Sequence, residues 1–117
     1  MQDISSKQDI HSMLESFYDK LLIDEVTRPI FANLNMKEHI PIITKFWAMI
    51  LLGEMDYKGN PFDKHVSLNL RKEHFDRWLF HFNSTLDDSF EGPIANMAKE
   101  RAKSIGYIFK SKLGLEQ

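Results

Sequence analysis

The feature that most constrains this chain is the three- and four-residue spacing of its apolar side chains. Ile10, Met13, Leu14, Phe17, Tyr18, Leu21 and Leu22 recur at such steps, which puts them on one face of an α-helix. Ser5-x-x-Gln8 ahead of them has the form of a capping box, so a first helix is expected over about 6–24. The "TRPIF" stretch that follows allows a turn or one short helix, because Pro29 favours a helix start and "ANLN" a prompt stop. Phe31 then enters the core from a connector. A second long helix is expected over about 36–52, with Asn35 as cap, Gly53 as stop, and His39, Ile43, Phe46, Trp47, Ile50 and Leu51 on one stripe. Pro41 near its start predicts a kink or a later beginning.

From Gly53 to Leu70 turn residues dominate, and only Phe62–Val66 has the makings of a helical turn. Asn69 caps a third helix over about 70–84, striped by Phe75, Trp78, Leu79 and Phe82. Gly92-Pro93 opens a fourth over about 93–113, with Ile94, Met97, Ala98, Arg101, Ile105, Ile108 and Phe109 along one side and Gly114 as stop. No segment alternates with period two. The fold class is therefore all-α.

At 117 residues with 43% hydrophobic content the chain is expected to form a single domain, 1–117, with a sizeable core. Its 15 basic residues are scattered among 17 acidic ones for a formal charge of −2. That leaves no electrostatic footprint for nucleic acid or an anionic membrane. The absence of cysteine excludes disulfides, thiolate metal sites, iron–sulfur clusters and a cysteine nucleophile. The first residues lack the basic start and apolar run of a secretory signal, and the "FWAMILL" run is too short to span a bilayer. A cytoplasmic protein with no membrane partner is the expectation.

Nine Phe, two Trp and three Tyr are a heavy aromatic load for a small helical domain. The plain reading of each ring is core filling. Tyr18, His39 and Trp78, however, each put a hydrogen-bonding group among apolar neighbours, where burial without a partner costs a few kcal/mol. Of the five histidines, His11 reads as surface, and His74 and His81, seven apart, read as one wet face of the third helix. Of the turn-spaced histidines and carboxylates of a di-iron bundle only His11-x-x-x-Glu15 approaches the spacing, and Glu-x-x-His pairs, His-Glu-x-x-His, a P-loop and a Gly-x-Ser-x-Gly elbow are missing. What remains is His65 in a short broken segment, His39 at the mouth of a long helix, and an aromatic wall between them. That arrangement suits a flat apolar cofactor bearing iron, whose metal needs an axial imidazole.

Taken in order, Tyr18 within "SFYDKLL", "RPIF", "KEHIPIITKFWAMILLGEMDYKGNPFDKH", "HFDRWL" and "EGPIANMAKERA" resemble the group III truncated haemoglobins over about 10–109. The resemblance implies a truncated globin fold, helices packed two over two around haem b. It implies His65 of "PFDKH" as the iron ligand, and Tyr18, His39 and Trp78 as the ligand-binding groups of the distal pocket. Phe31, Ile43, Phe46, Trp47, Phe62 and Phe75 would wall the haem, with Lys64 and Tyr57 as candidates at its propionates. Asp63 and Asn69 stand where many family members have proline.

The function so implied is reversible binding of O2, NO and CO. It leaves open an NO dioxygenase or peroxidase-like activity served by an unknown separate reductase. The contrasting reading is a helical ligand-sensing or protein-interaction module without haem catalysis.

Overall fold

Among the described residues of this computed structural model, 1–55, 57–59 and 70–115, every regular element is an α-helix. They are α1 (Lys7–Ile23), α2 (Arg28–Phe31), α3 (Met36–Leu52), α4 (Lys72–Ser89) and α5 (Pro93–Lys112). His65, Phe62, Lys64, Asp63 and Asn69 lie outside the described residues.

The cap of α1 sits one residue later than the sequence pattern suggests. Ser6 Oγ accepts the Asp9 backbone N–H at 3.2 Å, and the Asp9 carboxylate accepts the Ser5 N–H at 2.9 Å. Asp9 prevails over Gln8 because a carboxylate accepts backbone donors and also gains from the positive end of the helix dipole. Those bonds, led by the one from Ser5, hold its carboxyl below the usual range. Along α1, Ile10, Met13, Leu14, Phe17, Tyr18 and Leu21 are buried, as their spacing requires. Thr27 then folds the chain back, its hydroxyl donating to the Leu21 carbonyl at 2.7 Å, and α2 delivers Phe31 to the core.

α3 begins at Met36, with Asn35 Oδ1 accepting the Lys37 N–H at 3.1 Å, and stops at Gly53, whose φ of 73° suits glycine. Pro41 lies inside this helix and does not delay its start; it removes one intrahelical donor there. α4 starts at Lys72 with Arg71 as N-cap and runs to Ser89, beyond the expected end at Ser84. The extension is held by buried packing of Leu86 and by Thr85, whose hydroxyl donates to the His81 carbonyl at 2.7 Å.

α5 shows a larger departure. Its buried residues are Ala95, Ala98, Ala102 and Gly106, whereas Met97, Arg101 and Ile108 are exposed. Small side chains let helices approach closely, so the fully buried residues of α5 are small, while Ile94, Ile105 and Phe109 of the expected side are partly buried. Its N-cap, Gly92, has no side chain to offer. Asp3 supplies the cap from the far end of the sequence, its carboxylate accepting the Ile94 and Ala95 N–H groups at 2.8 Å each. Gly92 makes room for this: its φ is 143°, and a Cβ there would lie 2.6 Å from Asp3 Cγ.

α1 packs on α3 and α4 packs on α5; α1–α4 and α3–α5 contacts join the pairs. The result is a two-over-two helical sandwich. At its centre Phe82 and Trp47 stack at 4.8 Å between ring centroids, and Phe17 meets Phe82 edge-on at 5.2 Å.

Candidate functional site

The two layers leave a cavity between them, about 740 Å³ when its solvent-open part is included. α1 contributes Leu14, Phe17 and Tyr18; α2 Phe31; α3 His39, Ile43, Phe46 and Trp47. From the other layer come Leu70, His74, Phe75, Trp78, Ile105, Gly106 and Phe109. All are apolar except Tyr18, His39, His74 and Trp78. The chemistry of the lining is that of a site for a mostly apolar ligand oriented by a few polar groups.

Two of those polar groups meet. Tyr18 Oη and His39 Nε2 are hydrogen-bonded at 2.7 Å, and their rings stand edge-to-face at 5.0 Å. The pairing follows from the helix spacings that turn Tyr18 inward from α1 and His39 inward from the first turns of α3. Burial pushes the Tyr18 phenol well above its ordinary pKa, so it stays protonated. Trp78 reaches the same cavity from α4, its ring edge-on to Phe17 at 5.9 Å.

Tyr18, Phe31, His39, Ile43, Phe46, Trp47, Phe75 and Trp78, singled out in the sequence, are thus brought together on one cavity wall or another. Tyr57 is not in the lining; it packs edge-on against Phe46 at 5.2 Å. The expectations for His65, Phe62 and Lys64 fall outside the described residues.

Two histidines depart from their reading as a wet face. His74 is 7% exposed and lines the cavity. Its Nδ1 accepts the Arg71 N–H at 2.9 Å, so the neutral ring carries its proton on Nε2 and offers a donor, not a lone pair for a metal. Burial lowers its pKa, the Arg71 charge lowers it further, and Glu73 opposes both. His81 turns elsewhere, 2.6 Å from Asp24 Oδ2. The signal for His74 was present in its position next to Phe75 on the apolar stripe, but a histidine one residue off a stripe reads equally well as exposed. Leu14 and Phe17 share the stripe of Tyr18 and were legible as core; Gly106 carried no signal at all.

Among the described residues no cluster of three or more His, Asp or Glu is placed to hold a metal ion. The aromatic, mostly apolar lining with a few hydrogen-bonding groups fits a flat, largely apolar group. No helix among the described residues is long and apolar enough to cross a membrane.

A two-over-two helical sandwich that closes an aromatic cavity on a partly buried Tyr–His pair is the architecture of a truncated globin. The bacterial-like globin family matches residues 2–108. The group 3 truncated hemoglobin ctb of Campylobacter jejuni is 35% identical over 115 residues, covering 92% of this chain and 91% of that one. The crystal structure of the group III truncated hemoglobin from Campylobacter jejuni superposes with a TM-score of 0.86 at 33% identity, over 97% of this chain and 95% of the other. The truncated hemoglobin of Tetrahymena pyriformis in its Fe(III) form gives a TM-score of 0.69 at 29% identity, over 78% of this chain and 80% of that one. This chain belongs to the bacterial-like globin family, as a truncated haemoglobin of the group III kind that its motifs resemble.

Proposed function

We propose that residues 1–117 act as a single globin-like domain that holds haem b in the cavity between the layers and reversibly binds O2, NO or CO. The observation that carries this reading is the Tyr18–His39 pair, hydrogen-bonded at 2.7 Å within a wall that is otherwise almost wholly apolar. The relatives named above support it, being haemoglobins by name. His65 would hold the iron, and Phe31, Ile43, Phe46, Trp47 and Phe75 would pack the ring. Haem, when bound, supplies a redox-active iron with a coordination position for a diatomic ligand.

What this chain adds is a set of donors in a dry wall. Tyr18, kept protonated by burial, is a neutral donor throughout the physiological pH range. Where the proton of His39 goes decides what Tyr18 does with its own. With that proton on Nδ1, Tyr18 donates to Nε2 and is occupied; with it on Nε2, the imidazole donates to the phenol oxygen and the phenol proton is free to point at a ligand. His39 thereby sets the availability of Tyr18. The Trp78 indole N–H is a second donor in the same cavity.

Conversion of NO to nitrate, or work on peroxide, would make further use of the pair as an acid–base group and would require electrons from a separate reductase. The experiment is reconstitution with haemin followed by a reduced-plus-CO difference spectrum, beside a His65→Ala variant. A histidine-ligated CO spectrum that the substitution weakens or alters is expected. No CO-binding haem in the wild type would overturn the reading.

A further inference from the structure

α1 ends on a carboxylate, which is the wrong charge for a helix C-terminus. Asp24 is its C-cap residue, and the side chain is only 9% exposed. The position is tolerable because every polar atom there is used. Oδ1 accepts the Val26 N–H at 2.9 Å; Oδ2 lies 2.8 Å from Arg77 Nε and 2.6 Å from His81 Nε2. Burial alone would raise the Asp24 carboxyl, but the bonds from His81, Val26 and Arg77, with the Arg77 charge, outweigh it and leave its pKa at about 2. It is an ionised anchor with its side chain largely covered.

Both side-chain partners come from α4 and are four residues apart, one helical turn on one face. Trp78 lies between them in sequence and projects roughly 60–100° round the helix from that pair. A single carboxylate held at two points on α4 fixes that helix both along its axis and in rotation, and rotation is what moves the Trp78 indole. At the other end of the same contact, Tyr18 sits six residues before Asp24, roughly 9 Å back along α1. Phe17, its neighbour, already touches Trp78 at 5.9 Å between centroids. Lys20, bonded to Asp88 at 2.7 Å, adds a further tie but an exposed one, with Asp88 63% accessible, and such pairs contribute little.

We propose that Asp24, acting through Arg77 and His81, is the positioning residue that sets Trp78 against Tyr18 in the ligand cavity. This rests on the haem-pocket reading above, so the wild type is loaded with haemin first and its uptake recorded. The C–O stretching frequency of the ferrous-CO form and the O2 off-rate are then compared in wild type, Asp24→Asn, Trp78→Phe and the double variant.

Asp24→Asn keeps the size but loses the charge. It is expected to move the stretch toward its value in Trp78→Phe and to speed O2 loss about three- to tenfold, the equivalent of one ordinary hydrogen bond. In the Trp78→Phe background the same substitution should do neither. A lowered melting temperature with the stretch and the off-rate both unchanged would reduce Asp24 to a structural anchor and overturn the proposal. Equal effects with and without Trp78 would do the same. If Asp24→Asn does not fold, Arg77→Met and His81→Leu each remove one donor and are read by the same criteria. No haem uptake by the wild type would bring down the cavity reading itself, together with what rests on it.

Discussion

The α1–α3 pair and the α4–α5 pair wall the same cavity by different means. α1 and α3 face it with large apolar residues and with two polar groups, Tyr18 and His39, that satisfy each other inside it. α4 and α5 face it with Phe75, Trp78, Ile105 and Phe109 as well, but with Gly106 among them and with His74, whose Nδ1 is taken by the Arg71 N–H, while His81 turns away to Asp24. The first layer holds a polar pair whose members bond each other. The second adds Trp78 and, in α5, small buried residues that allow close approach. Substitutions in the two should separate accordingly, some moving stability and others moving ligand release.

The largest effect is expected where the layers meet. Phe82 of α4 is fully buried against Phe17, Trp47 and Trp78, and Phe82→Ala should cost about 3–5 kcal/mol in a urea melt. A loss under 1 kcal/mol would mean that the centre of the sandwich is not packed as described. Next comes the ligand face of α1. Tyr18→Phe should raise the O2 off-rate about 10- to 100-fold, with a much smaller change in stability. An unchanged off-rate would remove Tyr18 from the ligand's surroundings and leave it as a core residue.

The remote cap of α5 is a smaller term. Asp3→Ala removes the acceptor for the Ile94 and Ala95 N–H groups, leaves them to water and should lower stability by about 1 kcal/mol. Gly92→Ala should be destabilising as well, since its φ and the nearness of Asp3 both oppose a Cβ. The smallest effect concerns pH. His74 has its pKa below 6.5 in the folded protein, so the unfolded chain takes up the proton first. Its contribution to stability is complete above pH 6.5 and is lost as the pH falls from there through its lower folded value. The urea midpoint should decline on that side in the wild type, and His74→Phe should abolish this part of the decline.

The same contrast explains how far the sequence could be read. The positions of α1 and α3 followed from bulky side chains at helical spacing, and these point inward wherever a core exists. Tyr18, His39 and Trp78 converge because each stands on or beside such a stripe. α5 followed that logic only in part: Ala98 is buried and Ile94, Ile105 and Phe109 partly so, but its most buried positions are alanine and glycine, and an apolar count favours Met97 and Ile108, which the fold leaves outside. Histidines are harder still. His74 and His81 look alike in sequence, and only the backbone of Arg71 and the carboxylate of Asp24, 57 residues from His81 in the chain, decide where each ring turns. Asp3 and Gly92 are the same kind of case, a cap whose two halves stand at opposite ends of the sequence.

The central claim is that the space between the layers is where haem binds, and its position beside both tryptophans makes the test direct. Trp47 and Trp78 line the cavity, so titrating the colourless protein with haemin while following tryptophan fluorescence and visible absorption reports both location and stoichiometry. The account predicts quenching that saturates at one haemin per chain, in step with the growth of a single absorption band. Haemin uptake that never saturates, or a bound haemin that leaves tryptophan emission undiminished, would contradict it.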